Sequence, residues 1–470
     1  MAVTEFVFHS GLDTIGAVVL EIRYGQDRVF FEAGTAFNPS FDMFDGKVQK
    51  RSCLINDYLW ISEIPMIDGI YKKEEITNYD LLPASQFKGN QAFFITHLHL
   101  DHMRMMGLID QNVDVYLTEP AQRIEYALED VGLGVDTYRH NYLDIPDEVT
   151  VGQIKVKKFI INDDSYQDLS FYIETPDLHI HYTGDVFAYG KYADNLRKET
   201  AYLNQKGVDV LFCEGTQFWG ELPVENFHVK HQLQENPETD LTKEEFDQYN
   251  IKLINDYPGL VILNYYEREM SDVMDYERIA KETGRTLVYE PRSAHIVNNF
   301  FHKPVTIMVP DNDDDCNGML QQIMSYNTVI TKKDVLSDPC NYIVQNTYEN
   351  LLELLDYRYT KTMYLHHSGT PIGDFDPKTK NMKAIVNLCG FDFKSSKVNE
   401  EGRRFNSHAT ISQLLGYIDM VNAKLLVPCH SANRKAYVEN IDCPYYWCNL
   451  KEVYRYNREN NTLEVIGHEK

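Results

Sequence analysis

Short apolar runs separated by turn residues fill the first part of the chain. Residues 4–9, 18–24 and 28–32 read as strands, and Gly25-Gln26-Asp27 predicts a hairpin-type turn between the last two. Residues 92–96 (AFFIT) form a mostly apolar run, as expected of a strand buried on both faces. A polar stretch rich in His and Asp follows at once, and residues 103–109 then have a helical pattern. Residues 113–117, 155–161, 169–175 and 179–183 continue the strand pattern, with Pro176-Asp177 as a turn. From about residue 208 the pattern changes. Strands predicted at 208–213, 260–264, 286–289, 305–309, 342–345 and 363–366 alternate with helices at 270–283, stopped by Gly284, and at 348–355. Such alternation predicts a parallel, doubly wound sheet. After about residue 403 there remain a helix (411–421), a strand (424–427) and a Tyr-rich tail. The pattern therefore predicts an α/β chain whose first part, 1–212, is interrupted by an insert, 213–402, and completed by 403–470.

Composition narrows the function classes. The 470 residues are 43% hydrophobic and 25% charged, which excludes a disordered or collagen-like chain. Lys and Arg number 45 against 71 Asp and Glu, a net charge of −26, so the surface as a whole is unsuited to coating nucleic acid or anionic membrane. No apolar run approaches the ~18 residues that cross a bilayer. Residues 1–10 lack a basic leader and read as a strand, so neither membrane insertion nor secretion is expected. The eight cysteines are scattered; reduced thiols and a cytoplasmic location are the expectation, with a homo-oligomer possible.

The chemistry concentrates in Thr96-His97-Leu98-His99-Leu100-Asp101-His102. Alternate side chains of a strand end point the same way, so His97 and His99 can grip one ion. Asp101 and His102 lie on the following turn and can reach a second. Imidazole and carboxylate ligands suit Zn²⁺, Mn²⁺ or Fe²⁺.

This HxHxDH run after an apolar strand resembles the metallo-β-lactamase superfamily. Further segments extend the resemblance along the whole chain, in order, toward the β-CASP branch that includes ribonuclease J. They are Tyr182-Thr183-Gly184-Asp185, Cys213-Glu214-Gly215-Thr216, Ser407-His408-Ala409 and Val427-Pro428-Cys429-His430. The resemblance implies an αββα sandwich carrying an inserted, doubly wound β-CASP-like domain. It also implies two divalent transition-metal ions, zinc or manganese, with iron compatible. His97 and His99 would hold one, Asp101, His102 and His430 the other, and Asp185 would bridge them. Asp101, Glu214 and His408 would be the catalytic groups, His408 as an acid for the leaving oxygen and Glu214 orienting that imidazole or a metal ligand.

The sequence departs from the family pattern in three places. Asp163 stands where a third imidazole for the first metal is usual, a harder ligand that favours Mn²⁺ or Fe²⁺. Glu32 replaces the usual Asp beside the ligands, and Arg404 and Ser407 replace a His and a Gly ahead of His408.

Other residues carry weaker signals. Ser368 and Thr370, in His366-His367-Ser368-Gly369-Thr370, end a predicted strand of the insert, where doubly wound sheets place ligands. Arg403, Arg404, Arg434 and Lys435 predict a compact positive mouth, with Arg404 and Arg434 contacting substrate phosphates. His179 and His181 are expected to face solvent. Phe218, Trp219, Tyr265 and Tyr266 can stack on bases, but in an aromatic-rich chain such residues are more often core. The leading expectation is a metal-dependent hydrolase, a phosphodiesterase or ribonuclease using a metal-activated water. The alternatives are a hydrolase of a small ester, lactone or cyclic phosphodiester on the same metals, and a catalytically weakened ligand-binding member.

Overall fold

A computed structural model describes residues 2–36, 50–135, 138–162, 166–218, 229–312 and 314–469. It is a mixed α/β structure with sheets of eight, six and seven strands. The first sheet runs in spatial order Thr462–His468, Glu452–Asn457, Thr4–Ser10, Val19–Tyr24, Asp27–Phe31, Gln91–Phe94, Asp114–Leu117, Leu143–Asp144. The second runs Leu425–Pro428, Val210–Cys213, His179–Tyr182, Asp168–Glu174, Ile154–Asn162, Glu148–Val151. These two sheets face each other, and their alternation sorts the side chains. Val29, Phe31 and Phe94 point inward against Phe171, Ile180 and Phe212. Phe30 and Phe93 point outward and stack with ring centroids 4.4 Å apart. That double burial is why 29–31 and 92–94 are wholly apolar.

Helices cover the outer faces. Glu119–Asp130 starts at Thr118, whose hydroxyl accepts from Ala121 N at 3.2 Å, with Pro120 at the tolerated first turn. Tyr192–Lys206 and Ile411–Val421 cover the second sheet, the latter through a Thr410/Gln413 capping box.

The third sheet is wholly parallel, in the order Thr328–Ile330, Thr306–Met308, Thr286–Tyr289, Tyr342–Gln345, Leu260–Asn264, Thr362–His366, Asp392–Ser395. Its strands lie within residues 260–395. Leu233 and Leu241, before them, pack with Tyr417 and Leu414 in the cluster that covers the second sheet.

Three expectations change. Residues 103–109 are not one helix but a turn, Leu100–Met103, and a 3₁₀ turn, Met106–Leu108. The Asp101 carbonyl accepts from Ala17 N at 2.9 Å and Met105 N donates to Ala33 O at 2.8 Å, so tertiary bonds replace the helical ladder there. The Tyr-rich tail forms the hairpin Glu452–Asn457/Thr462–His468, which pairs with Thr4–Ser10. His181 faces the core rather than solvent, fully buried beside Tyr417. All eight cysteines are free, and among the described residues no helix is long and apolar enough to cross a membrane.

Candidate metal centre

Strand ends and the turns after them build the site. The strand Gln91–Phe94 delivers His97 and His99, and the turn Leu100–Met103 delivers Asp101 and His102. His179–Tyr182 ends just before Asp185, and Leu425–Pro428 just before His430. Glycines let the Asp101 turn come close. A Cβ on Gly34 would lie 1.7 Å from the Asp101 carbonyl oxygen, and one on Gly16, which has φ +76°, would lie 2.1 Å from Asp101 Cβ. Glu32 and His430 themselves adopt positive φ, +66° and +49°. Such strain in residues with side chains persists where surrounding structure enforces it, and it gathers at functional sites.

Two sets of ligand atoms result. His97, His99 and Asp185 form one, and Asp101, His102 and His430 the other, each with its atoms within 4.8 Å of one another. Asp185 links them: its Oδ2 lies 3.5 Å from His97 Nε2 and its Oδ1 3.4 Å from His102 Nε2. His430 Nε2 lies 3.4 Å from Asp101 Oδ2 and 4.0 Å from Asp185 Oδ1. The Nε2 atoms of His97, His99, His102 and His430 and Oδ1 of Asp185 are buried without a hydrogen-bond partner of ordinary geometry among the described residues. Two atoms each ~2.1 Å from one ion at a tetrahedral angle stand about 3.4 Å apart. The separations are those of ligands gathered round a shared centre rather than of hydrogen bonds. The donor set therefore fits divalent transition-metal ions.

The outer nitrogens are fixed. The Thr96 hydroxyl donates to Glu32 Oε1 at 2.5 Å, so its oxygen accepts from His97 Nδ1–H at 2.9 Å, which leaves Nε2 bare. His102 Nδ1 lies 3.2 Å from the same Glu32 oxygen, and His430 Nδ1 lies 3.0 Å from Thr216 Oγ1. Glu32 thus meets His102 directly and His97 through the Thr96 hydroxyl.

Burial and opposed charges set the electrostatics. Burial, with the His102 and His99 charges, holds the His97 pKa well below its usual value. Burial opposes a proton on His102, but the Asp185, Asp101 and Glu32 carboxylates outweigh it and hold its pKa well above. Burial, with the Glu269 and Asp185 charges, pushes Asp168 well above the usual carboxylate range. The carboxyl groups of Asp101, Asp168, Asp185 and Glu269 crowd together here, an arrangement that bound cations would offset.

The remaining expected residues divide. His408 joins the site, with Nδ1 3.6 Å from Asp185 Oδ2 and its ring stacked on Phe187 at 5.6 Å. Glu214 lies near enough to group with Asp185 and His430. Its Oε1 accepts from Val186 N at 3.0 Å and its Oε2 from Thr216 N at 2.7 Å, so it holds the loops bearing Asp185 and Thr216 and acts by positioning. Asp163 lies outside the described residues, as does Trp219.

The positive mouth is not what its residues predicted. Arg434 is buried, forks onto Asp13 at 2.6 and 2.8 Å and donates to the Cys448 carbonyl. Arg403 pairs with Glu245 at 2.6 Å, and Lys435 lies 3.8 Å from Glu439. Arg434 is thus withdrawn from substrate by its own ion pair; Arg404 is exposed. Ser368 donates to Asp272 and accepts from Tyr266 N, so its hydroxyl serves the insert's own loops, and the Thr370 carbonyl receives Asn264 Nδ2 at 3.4 Å.

Two residues at the centre escaped the sequence reading. Glu269 Oε2, from the loop after Leu260–Asn264, lies 3.3 Å from His99 Nε2. Asp168 is buried, and neither carboxylate oxygen makes a hydrogen bond of ordinary geometry with a described residue. An acidic residue opening an apolar strand, as in Asp168-Leu169-Ser170-Phe171, was the one available signal.

No protein-family model and no curated protein matches the chain. Among solved structures it is similar to a protein of unknown function from Enterococcus faecalis V583, at 23% identity and a TM-score of 0.72, over 96% of this chain and 99% of that one. That likeness shows a shared α/β fold over nearly the whole length of both chains.

Proposed function

We propose that this chain is a metal-dependent hydrolase of the metallo-β-lactamase superfamily, β-CASP branch, acting on a phosphodiester. The carrying observation is the pair of ligand sets joined at Asp185, with inward Nε2 atoms that are buried and unpartnered. The order of the motifs and the parallel-sheet insert between Val210–Cys213 and Leu425–Pro428, strands that pair in parallel, support the same reading.

His97, His99 and Asp185 would hold one ion and Asp101, His102, His430 and Asp185 the other. Bound there, a pair of ions supplies an activated water and neutralises charge on phosphate oxygens. The chain's own groups do the rest. Glu32, Thr96 and Thr216 hold the imidazoles in the tautomers that face inward. His408, partly exposed beside Asp185, is placed to give a proton to a leaving oxygen. Glu214 keeps the Asp185 loop in register.

A second reading, a small ester, lactone or cyclic phosphodiester as substrate, is favoured by the neutralised mouth. With Arg403 and Arg434 paired internally and a net charge of −26, a long polyanion meets little attraction. The test is elemental analysis of the purified protein together with turnover of bis-p-nitrophenyl phosphate, 5′-labelled RNA and a lactone. Two equivalents of transition metal and turnover of a phosphodiester are expected. A lactone hydrolysed faster than any phosphodiester moves the assignment to the second reading, and a chain that takes up no metal ends both.

A further inference from the structure

Three of the four imidazoles in the two ligand sets follow one rule. In His97, His102 and His430 the outer Nδ1 meets an oxygen of the main body, from Thr96, Glu32 and Thr216. For His99 the oxygen neighbour is on Nε2 and belongs to the inserted domain: Glu269 Oε2, at 3.3 Å, a charge contact rather than a well-aligned hydrogen bond. Glu269 is the N-cap of Met270–Thr283, and its other oxygen, Oε1, accepts from Ser271 N at 3.1 Å and Ser271 Oγ at 2.6 Å. The carboxylate is thereby fixed with Oε2 turned to His99.

The same loop grips the metal-bearing loop at two more points. Arg268 NH1 donates to the Leu98 carbonyl at 3.4 Å and pairs with buried Glu125 at 3.2 Å. The Tyr266 ring lies 5.5 Å from the His99 ring. Arg268 is therefore engaged with the main body, and Glu269 is left facing the imidazole.

We propose that Glu269 is a positioning residue of the metal centre: the insert holds His99 through Nε2, presents its Nδ1 to an ion, and so couples its own docking to metal occupancy. The inference rests on the metal reading above. A carboxylate partner fixes both the tautomer and the orientation of a ligating imidazole, and losing one typically weakens a metal site by about 10–100-fold. Because the partner comes from another domain, linkage makes the effect reciprocal: an ion bound at His99 must favour the docked insert by the same factor.

Zinc and manganese titrations of the parent, Glu269→Gln and Glu269→Ala, each paired with hydrogen exchange across residues 260–290, test this. In Glu269→Ala one of the two ions is expected to bind about 10–100-fold more weakly while the other keeps its affinity. Glu269→Gln, which keeps an oxygen acceptor without the charge, should fall between. Metal should slow exchange in the 265–269 loop of the parent and much less in Glu269→Ala. A merely structural role would alter exchange without singling out one ion. If the parent fills two sites and both variants bind both ions within twofold of it, the inference falls while the metal reading stands. A parent that binds no metal removes both.

Discussion

Asp185 is the residue on which the two ligand sets converge. It is buried, Oδ2 faces His97 and His408, and Oδ1 faces His102 and His430. Burial opposes its charge, but His102 and His408 outweigh that and hold its pKa well below the usual carboxylate range, so it stays an acceptor in acid. His102 belongs to one set only. The two positions therefore predict different losses. His102→Ala should keep about one ion per chain, and Asp185→Ala should keep fewer, because removing a shared ligand weakens both sites. Elemental analysis after dialysis reads the difference, and equal, full metal content in both variants would refute the assignment. Both should lose most activity.

At the scale of elements, the helices Tyr192–Lys206 and Ile411–Val421 meet the second sheet through a buried polar cluster rather than apolar contact alone. Glu199 is 2% exposed, bonded to Ser170, with the Tyr417 hydroxyl 2.9 Å from its Oε2. The Tyr417 hydroxyl also lies 2.7 Å from His181 Nε2, while His181 Nδ1 faces the Phe171 carbonyl at 3.0 Å. A carbonyl only accepts, so Nδ1 carries the imidazole proton; burial pushes that pKa down to about 3. Burial pushes Glu199 from 4.5 up to about 7, so the folded chain keeps a proton that the unfolded chain gives up. The sign follows. This contribution is complete below the ordinary carboxylate value and is lost as pH rises through about 7. Its full size is on the order of 3 kcal/mol. Glu199→Gln should lose less stability than the parent between acid and neutral pH, by up to that amount, in urea unfolding followed across the range. Parallel pH curves for parent and variant would mean that Glu199 is charged in the fold.

At the scale of the molecule, the insert is not a separate body resting on a platform. Val261, Leu263, Tyr276 and Ile343 of the insert share one buried cluster with Leu98, Met103, Val131 and Tyr166 of the first part. The Arg268–Glu125 pair crosses the same boundary in a buried setting, where breaking a pair costs about 3–5 kcal/mol. An apolar core continuous across the boundary ties the two parts into one cooperative unit. Calorimetry should show a single transition with matching calorimetric and van't Hoff enthalpies. Two resolved transitions, with the 260–395 region opening first in hydrogen exchange, would show that the shared core does not bind them.

The sequence by itself determined what local chemistry dictates. The strand Leu260–Asn264 and the helices Met270–Thr283 and Ile411–Val421 have the expected bounds, because their apolar spacing, caps and the Gly284 stop act over a few residues. The side chains of the dense His97-to-His102 run likewise gather in two neighbouring groups, since neighbours in sequence need only a turn to converge. What only the tertiary structure decided involves partners far apart along the chain. Arg434 meets Asp13, 421 positions away, and an ion pair of that kind leaves no local pattern. His181 looked like an exposed strand residue until Tyr417, 236 positions on, covered it. The Tyr-rich tail became a hairpin because the edge of Thr4–Ser10 offered unpaired backbone groups to it. Glu269 reads in sequence as an ordinary helix cap; its place beside His99 exists only because distant segments, 260–343 and 98–166, share one buried core.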